Sequence, residues 1–159
     1  MIAVDTNLLV YAHRSGCAEH PQARRAIEEA AGSGQEWGIP GPCVLEFWSV
    51  VTHPSSAGGP SEPSTARAFI RELMETAGAV ILPPPAAMVP RCLQLADQMD
   101  VRGPRIFDLQ ISLTALEAGV SEIWTHDAGF VGLPGIRIRD PLSDPRAQQS
   151  KSRRPRGGK

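Results

Sequence analysis

The sequence has no long apolar run and only three cysteines, and each shortage excludes a class of protein. No apolar segment approaches the ~18 residues that a membrane-spanning helix needs, so we expect no membrane partner. Cys17, Cys43 and Cys92 are odd in number and form neither a CxxC motif nor a Cys/His pair at zinc spacing. A disulfide framework is therefore not predicted, and we expect three reduced, buried thiols. The chain starts directly on an apolar run, which predicts a cytoplasmic protein without a signal peptide.

Basic residues are scarce in most of the chain and concentrated at its end. The last 14 residues hold six Lys or Arg and no acid, which leaves 10 basic against 17 acidic residues in the first 145. An acidic body does not favour a protein that binds nucleic acid through basic stripes on its fold. Residues 143–159 lack apolar periodicity, and we predict a disordered basic tail there. Two roles stay open for this tail: salt-sensitive, sequence-independent attraction to nucleic acid, or none.

The order of apolar patterns is that of an α/β protein. Short apolar runs alternate with segments of helical periodicity, which predicts one domain over residues 1–142 with a mainly parallel central sheet of four to five strands. The predicted strands are 2–5, 36–39, 79–82, 122–126 and, as the fifth, 136–138. The main predicted helices are 21–31, 41–52, 64–77, 87–99 and 108–118.

Four acidic residues stand beside apolar runs, where a folding sequence has little reason to place them. Asp5 ends the first strand, Glu46 interrupts an apolar helix, Asp108 opens another helix, and Asp127 closes the strand after it. At an effective dielectric near ~20, two carboxylates about 5 Å apart repel by roughly 3 kcal/mol. That is a large part of a domain's net stability, on the order of 5–15 kcal/mol. A cation would offset this repulsion, and Mg²⁺ and Mn²⁺ prefer such oxygen ligands.

Parallel-sheet geometry predicts that these carboxylates meet at one edge. Asp5 and Asp127 each follow a strand, and the carboxyl ends of parallel strands form the edge where ligands bind. The helix from Asp108 is roughly 16 Å long, close to the length of the returning strand, so Asp127 should come back to the level of Asp108. Glu46 needs only to lie on the helix face that is turned toward that edge.

Each of the four residues also has a purely structural interpretation. Asp5 and Asp108 could be helix N-caps, which is a common role for Asp. Asp127 could belong to a turn before Gly129. Glu46 is the hardest to explain in this way, because its apolar neighbours predict a buried carboxylate that needs a partner. The four together, in this order, are more specific than any one of them.

The chain resembles the PIN-domain family, and most closely its VapC-type toxin branch. The residues that carry the resemblance are Val4-Asp5-Thr6-Asn7-Leu8-Leu9-Val10-Tyr11-Ala12, Glu46 in its apolar helix, Asp108-Leu109 with the residues through Leu116, and Thr125-His126-Asp127-Ala128-Gly129-Phe130. The resemblance implies a PIN-like three-layer α/β/α sandwich. It further implies a Mg²⁺- or Mn²⁺-dependent endoribonuclease that leaves 5′-phosphate and 3′-hydroxyl ends and is held inactive by a cognate antitoxin protein.

On this resemblance, Asp5, Asp108 and Asp127 are the expected metal ligands. Glu46 completes the catalytic set, either as a ligand or by positioning the attacking water. Many members of the family carry a second acidic residue two positions after the one equivalent to Asp127. Gly129 stands there in this chain, which leaves the number of bound metal ions open.

Polar residues next to the four acids are candidates for orienting them. Thr6, Asn7 and Thr125 lie beside predicted ligands and could donate to the carboxylates or contact substrate, and local capping is an alternative for Asn7. His13, Arg14 and His126 could touch phosphate, and simple exposure is the alternative for all three.

Two other functions compete with a ribonuclease. A phosphoaspartyl phosphatase would also place an Asp after its first strand, but Asn7 stands where its second Asp is usual. Its core Lys is also missing, since Lys151 and Lys159 are the only lysines. A catalytically inactive RNA-binding PIN module is the other alternative.

Broad apolar helix faces make a homodimer a reasonable expectation, and the apolar surface around Phe47 and Trp48 is a candidate site for the antitoxin.

Overall fold

In the computed structural model, which describes residues 1–143, five short strands alternate with six α-helices. The strands are β1 (Ile2–Val4), β2 (Trp37–Pro40), β3 (Val80–Leu82), β4 (Glu122–Trp124) and β5 (Arg137–Arg139). The helices are α1 (Thr6–His13), α2 (His20–Gly32), α3 (Gly41–Thr52), α4 (Pro63–Glu75), α5 (Met88–Gln98) and α6 (Ile106–Glu117), with a 3₁₀ turn (Gly103–Arg105) directly before α6.

The strands form one parallel sheet in the order β3-β2-β1-β4-β5. The chain builds outward from β1 through β2 to β3, and then returns to the other side of β1 to add β4 and β5. The strand order therefore reverses between β1 and β4, and ligands of open α/β sheets bind at such a point. Val4 pairs with Trp124 in the register of these two strands, so the residues that follow each strand are neighbours.

Helices cover both faces of the sheet, as the predicted three-layer sandwich requires. Ile2 and Val4 point into the larger core, which β1 and β2 share with α1, α2, α3 and α4. Ala3, between them, points to the opposite face and packs with Ala115 of α6 and Ile123 of β4. Alternate residues of a strand face opposite layers, so a fully buried β1 must be apolar on both sides. The predicted α/β fold is confirmed.

Two boundaries near the acidic residues differ from their prediction. Helix α6 begins at Ile106 rather than at Asp108, because the 3₁₀ turn continues directly into it. Asp108 is therefore in the first turn of α6, where a carboxylate interacts favourably with the helix dipole, and it is not the N-cap. Strand β4 ends at Trp124, so Asp127 lies two residues farther along the loop than predicted.

The cysteines are all free, and the prediction of three buried thiols is wrong for one of them. Cys43 and Cys92 are buried, whereas Cys17 is only partly buried in the connection between α1 and α2. Among residues 1–143 no helix has both the length and the apolarity needed to cross a membrane. The predicted basic tail lies outside the described residues, except for Ser143.

Candidate active site

The four predicted carboxylates line one cavity of about 580 Å³ at the carboxyl end of the sheet. Strand β1 delivers Asp5, the loop after β4 delivers Asp127, the first turn of α6 delivers Asp108, and Glu46 comes from α3. The walls are completed by residues of α1, of α3 and of the segment that leads into α6, namely Thr6, Asn7, Val10, Tyr11, Val50, Pro104, Arg105, Phe107 and Ile111.

Asp5 is the most enclosed of the four acids and accepts several hydrogen bonds. The backbone N–H of Thr6 donates to its Oδ1 at 2.7 Å, which is the N-cap contact of α1. The Nδ2 of Asn7 and the Oγ1 of Thr125 donate to its Oδ2 at 2.7 and 2.6 Å. Asp5 is thus a helix cap and a cavity residue at once, so the two interpretations of this position do not exclude each other.

Burial raises the pKa of Asp5 from its usual value of 3.8 to about 6. The hydrogen bonds from Thr125 and Thr6 favour the carboxylate and oppose this rise, while the nearby acids Glu46 and Asp108 add to it. A buried carboxylate beside like charges is destabilised in its charged form. Burial is the largest cause of the raised pKa of Asp5, and the repulsion between acids that the sequence predicted adds a smaller contribution.

Thr6, Asn7 and Thr125 connect the acidic residues to one another. Thr6 donates from Oγ1 to Oε2 of Glu46 at 2.6 Å. Asn7 donates from Nδ2 to Oγ1 of Thr125 at 2.8 Å, and its Oδ1 accepts the backbone N–H of His126 at 3.0 Å. Oγ1 of Thr125 also accepts the backbone N–H of Asp127 at 3.1 Å. These bonds restrict the rotamers of the carboxylates. Thr6 and Thr125 each lie close to one acid in sequence and donate to another that is distant in sequence.

The prediction that Glu46 is buried is wrong. Glu46 is exposed on α3, and so are its apolar neighbours Leu45 and Trp48, while Phe47 is fully buried. The helix turns only one face to the core, so a residue next to a buried one points elsewhere. For the same reason Phe47 cannot be part of a surface for the antitoxin. The bond from Thr6, rather than burial, holds the Glu46 side chain at the cavity.

Arg105 is a cavity residue that sequence reasoning missed. Its Nη1 donates to Oδ2 of Asp127 at 2.5 Å and to Oδ2 of Asp108 at 3.1 Å. This guanidinium, together with the backbone N–H of Gly129 that donates to Oδ1, lowers the pKa of Asp127 below its usual value. Arg105 and Asp108 are three residues apart, a spacing that allows contact on a helix. The predicted helix began at Asp108, so it did not include Arg105 and did not indicate this contact.

Gly129 provides the space in which Arg105 lies. A Cβ atom at position 129 would overlap Nη2 of Arg105. Any side chain there would have to displace the guanidinium from between the two acids. The glycine that departs from the family pattern at position 129 therefore leaves room for the Arg105 guanidinium.

The remaining polar candidates lie around the cavity rather than in it. His126 is partly buried, and its Nδ1 lies 2.9 Å from Oδ2 of Asp140. His13 and Arg14 are also partly buried, and they line a second cavity that adjoins the first. The alternative that all three are merely exposed is therefore wrong. Within residues 1–143, no three His, Cys, Asp or Glu residues are close enough as placed to hold a metal ion.

Comparison with known proteins gives consistent matches over nearly the whole described chain. The PIN domain model matches residues 2–135. Ribonuclease VapC43 of Mycobacterium tuberculosis is 32% identical over 142 residues, which cover 89% of this chain and 96% of that protein. Ribonuclease VapC48 of the same organism is 30% identical over 149 residues, covering 87% and 96%.

Solved structures agree on the fold. The crystal structure of VapC20 of Mycobacterium tuberculosis, a toxin that cleaves the Sarcin-Ricin loop, has a TM-score of 0.62 at 17% identity and covers 84% of this chain and 98% of its own. VapBC-1 from nontypeable Haemophilus influenzae has a TM-score of 0.60 at 17% identity, covering 89% and 98%. The family model and the curated relatives, both of which span most of the chain, establish that this protein belongs to the PIN domain family.

Proposed function

We propose that this protein is a divalent-metal-dependent endoribonuclease, the toxin of a toxin–antitoxin pair. The observation that carries the proposal is the convergence of Asp5, Glu46, Asp108 and Asp127 on one cavity. Curated relatives at 30% and 32% identity are named VapC ribonucleases, and they support RNA as the substrate class.

The donor set suits Mg²⁺ or Mn²⁺ in its chemistry, because both ions prefer carboxylate oxygen ligands. The described carboxylates would have to move closer together for three of them to share one ion. Asp5, Asp108 and Asp127 are the proposed ligands. Burial raises the pKa of Asp5, and the nearby acids add to the rise; a cation would favour the charged form of Asp5 against both effects. It would compete with Arg105 for Asp108 and Asp127. When bound, the ion would lower the pKa of a water molecule and neutralise charge on the scissile phosphate.

The residues of the chain then have separate roles. Glu46 is exposed at the cavity and oriented by Thr6, so its carboxylate can accept a proton from the attacking water. Thr125 and Asn7 hold Asp5 in one orientation. The Arg105 side chain is 43% exposed, and its guanidinium can contact a phosphate oxygen of the substrate.

A cleavage assay on purified protein separates this proposal from its competitors. RNA should be cut in Mg²⁺ or Mn²⁺, and not in EDTA, and sequencing of RNA 5′ ends after controlled expression should identify the cut sites. An inactive RNA-binding module would bind RNA and leave it intact under both conditions. A phosphoaspartyl phosphatase would instead hydrolyse a phosphomonoester such as p-nitrophenyl phosphate.

We further propose that the cognate antitoxin blocks this site with a basic side chain. Arg105 already bridges Asp108 and Asp127 with its guanidinium, so an arginine from a partner would use the same geometry. The solved VapBC-1 complex has this fold, which supports an antitoxin as partner. The double variant Asp5→Asn/Asp108→Asn should bind the antitoxin more weakly, measured by calorimetry, while Glu75→Gln on the exposed face of α4 should not. Full-strength binding by the double variant would show that the antitoxin grips elsewhere.

A homodimer through α3, α5 and α6 is also proposed. Leu45, Val89, Leu93 and Phe107 are each more than half exposed. They line two shallow depressions of about 270 and 140 Å³ that share Phe107 and Gln110, so the apolar surface is continuous. A continuous exposed apolar surface of this kind often marks a protein–protein interface.

Light scattering coupled to size exclusion tests the dimer. Leu93→Glu should yield a monomer. Met74→Glu places the same charge on an exposed apolar position of α4 outside these depressions, and it should not change the mass. A monomeric wild-type protein would contradict the proposal.

A further inference from the structure

A second cavity of about 590 Å³ adjoins the acidic one, within the ~300–1,000 Å³ range of ligand sites. It lies between the end of α1 and the connection from α3 to α4. Val10, Tyr11 and Val50 line both cavities, so the two share a wall. A polymer bound across the acidic cavity can therefore continue into the second one without leaving the surface.

The two cavities differ in charge. Four carboxylates line the first, whereas none of the described residues that line the second is Asp or Glu. The second cavity has Arg14, His13 and several hydroxyl groups, including those of Ser15, Ser56 and Ser61. Cationic and hydroxyl donors of this kind bind phosphate oxygens.

Arg14 is fixed in the second cavity without losing its charge. Its Nη1 donates to the carbonyl of Gly59 at 2.8 Å, and its Nη2 donates to the carbonyl of Val51 at 3.0 Å and to Oγ of Ser56 at 2.6 Å. All three acceptors are neutral, and no carboxylate in the described part of the chain forms an ion pair with Arg14. These bonds use only part of the donors of a guanidinium, so the group keeps both charge and free N–H bonds.

The loop that holds Arg14 needs glycine to do so. Gly58 and Gly59 have φ of 82° and 85°, a region that other residues rarely adopt. This turn directs the Gly59 carbonyl to Arg14. A guanidinium held in advance loses less side-chain entropy when it binds an anion.

His13 does not supply the charge. Its ring packs edge-on against Phe47 and Phe69, with centroid distances of 5.3 and 5.1 Å. Burial, and then the charge of Arg14, lower the pKa of His13 below its usual value, so the ring is neutral near pH 7. Its Nε2 lies 2.9 Å from Oγ of Ser61. Arg14 is thus the cation of the second cavity.

We propose that the second cavity binds a phosphodiester of the RNA chain next to the one that is cleaved, with Arg14 as its phosphate contact. This inference rests on the ribonuclease activity proposed above. The acidic residues around the reaction centre repel a polyanion. A fixed cation at the neighbouring phosphodiester offsets this repulsion and positions the RNA chain relative to the acidic cavity. Arg suits this role because it keeps its charge at any physiological pH, and its Nε–H and the second N–H of Nη1 remain able to donate to a phosphate oxygen.

Fluorescence anisotropy with a short labelled single-stranded RNA in EDTA tests the proposal through its salt dependence. Arg14→Gln should weaken binding at low salt, and the slope of log affinity against log salt should fall by about 0.7, the loss of one phosphate contact. Arg71→Gln removes the same charge from the exposed face of α4 and should leave the slope unchanged. Ser56→Ala loosens Arg14 but retains its charge, and it should also keep the slope.

Protection of arginines on the wild-type protein gives a second measurement that needs no variant. RNA should protect Arg14 from phenylglyoxal, read by mass spectrometry, and should leave Arg71 reactive. RNA binding that leaves Arg14 reactive, or an unchanged slope in a folded Arg14→Gln protein, overturns the phosphate contact alone. A wild-type protein that cleaves RNA in Mg²⁺ yet does not bind it in EDTA also overturns the phosphate contact alone. A wild-type protein that neither binds RNA in EDTA nor cleaves it in Mg²⁺ or Mn²⁺ overturns the ribonuclease proposal as well.

Discussion

The negative charge of the acidic cavity is compensated differently at its two ends, Asp5 and Asp127. At one end, Asp5 is buried, receives hydrogen bonds from neutral donors, and has its pKa raised to about 6. At the other end, the Asp127 side chain is 40% exposed and bound to Arg105, which lowers its pKa. Hydrogen bonds orient the first carboxylate but leave its charge costly, whereas the guanidinium neutralises the second. A cation would therefore reduce the free-energy cost of the charged Asp5, and it would compete with Arg105 for Asp127.

The largest expected effect is on catalysis, where both ends should be required equally. Asp5→Asn and Asp127→Asn should each reduce the RNA cleavage rate about a thousandfold, because each removes a charge that positions the reacting groups. The measurement is the single-turnover rate on one RNA in Mg²⁺. Asp97→Asn, on the exposed face of α5, is the matched control and should cleave normally. An Asp127→Asn protein with near-normal activity would place the chemistry at the Asp5 end alone.

The next effect separates the two ends by pH. Because the folded pKa of Asp5 is raised from 3.8 to about 6, the folded metal-free protein binds this proton more tightly than the unfolded chain does. The free energy of unfolding should therefore fall by about 3 kcal/mol as pH rises from about 4 to about 7, and the loss should be complete above the folded pKa. For Asp127 the pKa is lowered, so its contribution is present above 3.8 and is lost only as pH falls below that value.

Urea unfolding in EDTA over this pH range measures the difference. Asp5→Asn should be as stable as the wild type near pH ~4 and more stable near pH ~7. Asp127→Asn should run parallel to the wild type over the same interval. If Asp5→Asn instead lowers stability at every pH, the helix-cap role of this residue outweighs its electrostatic cost.

A smaller effect is expected where the two ends are linked. Oγ1 of Thr125 donates to Asp5 and accepts the backbone N–H of Asp127, so Thr125→Val should lose orientation at both. Residues that orient ligands typically contribute about tenfold to a hundredfold, and we expect about tenfold in cleavage rate. Thr125→Ser should restore it, and Thr52→Val, at a partly exposed position near the end of α3, should not change the cleavage rate. Equal activity of Thr125→Val and wild type would argue that the two ends act independently.

The smallest effect concerns competition for Asp108 and Asp127. Arg105→Gln should tighten Mn²⁺ binding only about threefold, because an exposed ion pair is screened by solvent and is therefore a weak competitor. The measurement is an electron paramagnetic resonance titration of Mn²⁺. Arg102→Gln removes an exposed charge that pairs with Asp100, and it serves as the control. Weaker Mn²⁺ binding by Arg105→Gln would show that the guanidinium organises the ligands instead of competing for them.

Sequence patterns predicted the acidic residues of the cavity better than their surroundings. Asp5 and Asp127 follow strands, which local apolar periodicity can identify. For Glu46 the apolar neighbours suggested burial, and the structure shows the opposite, because the buried face of α3 is Cys43, Phe47 and Val51. The i, i+4 spacing of that face carries the information, and the immediate neighbours of Glu46 do not.

The sequence by itself determined the alternation of strands and helices, since burial on two faces or on one face imposes a local period on the residues. With it came the parallel sheet and the placement of Asp5 and Asp127 at its carboxyl edge. Only the tertiary structure decided which side chains touch. The contacts Arg105–Asp127, Thr6–Glu46 and Asp5–Thr125 join residues 22, 40 and 120 positions apart. The Asp5–Thr125 contact exists because β1 and β4 pair in one register, and the other two depend on where α3 and α6 pack. No local period contains this information.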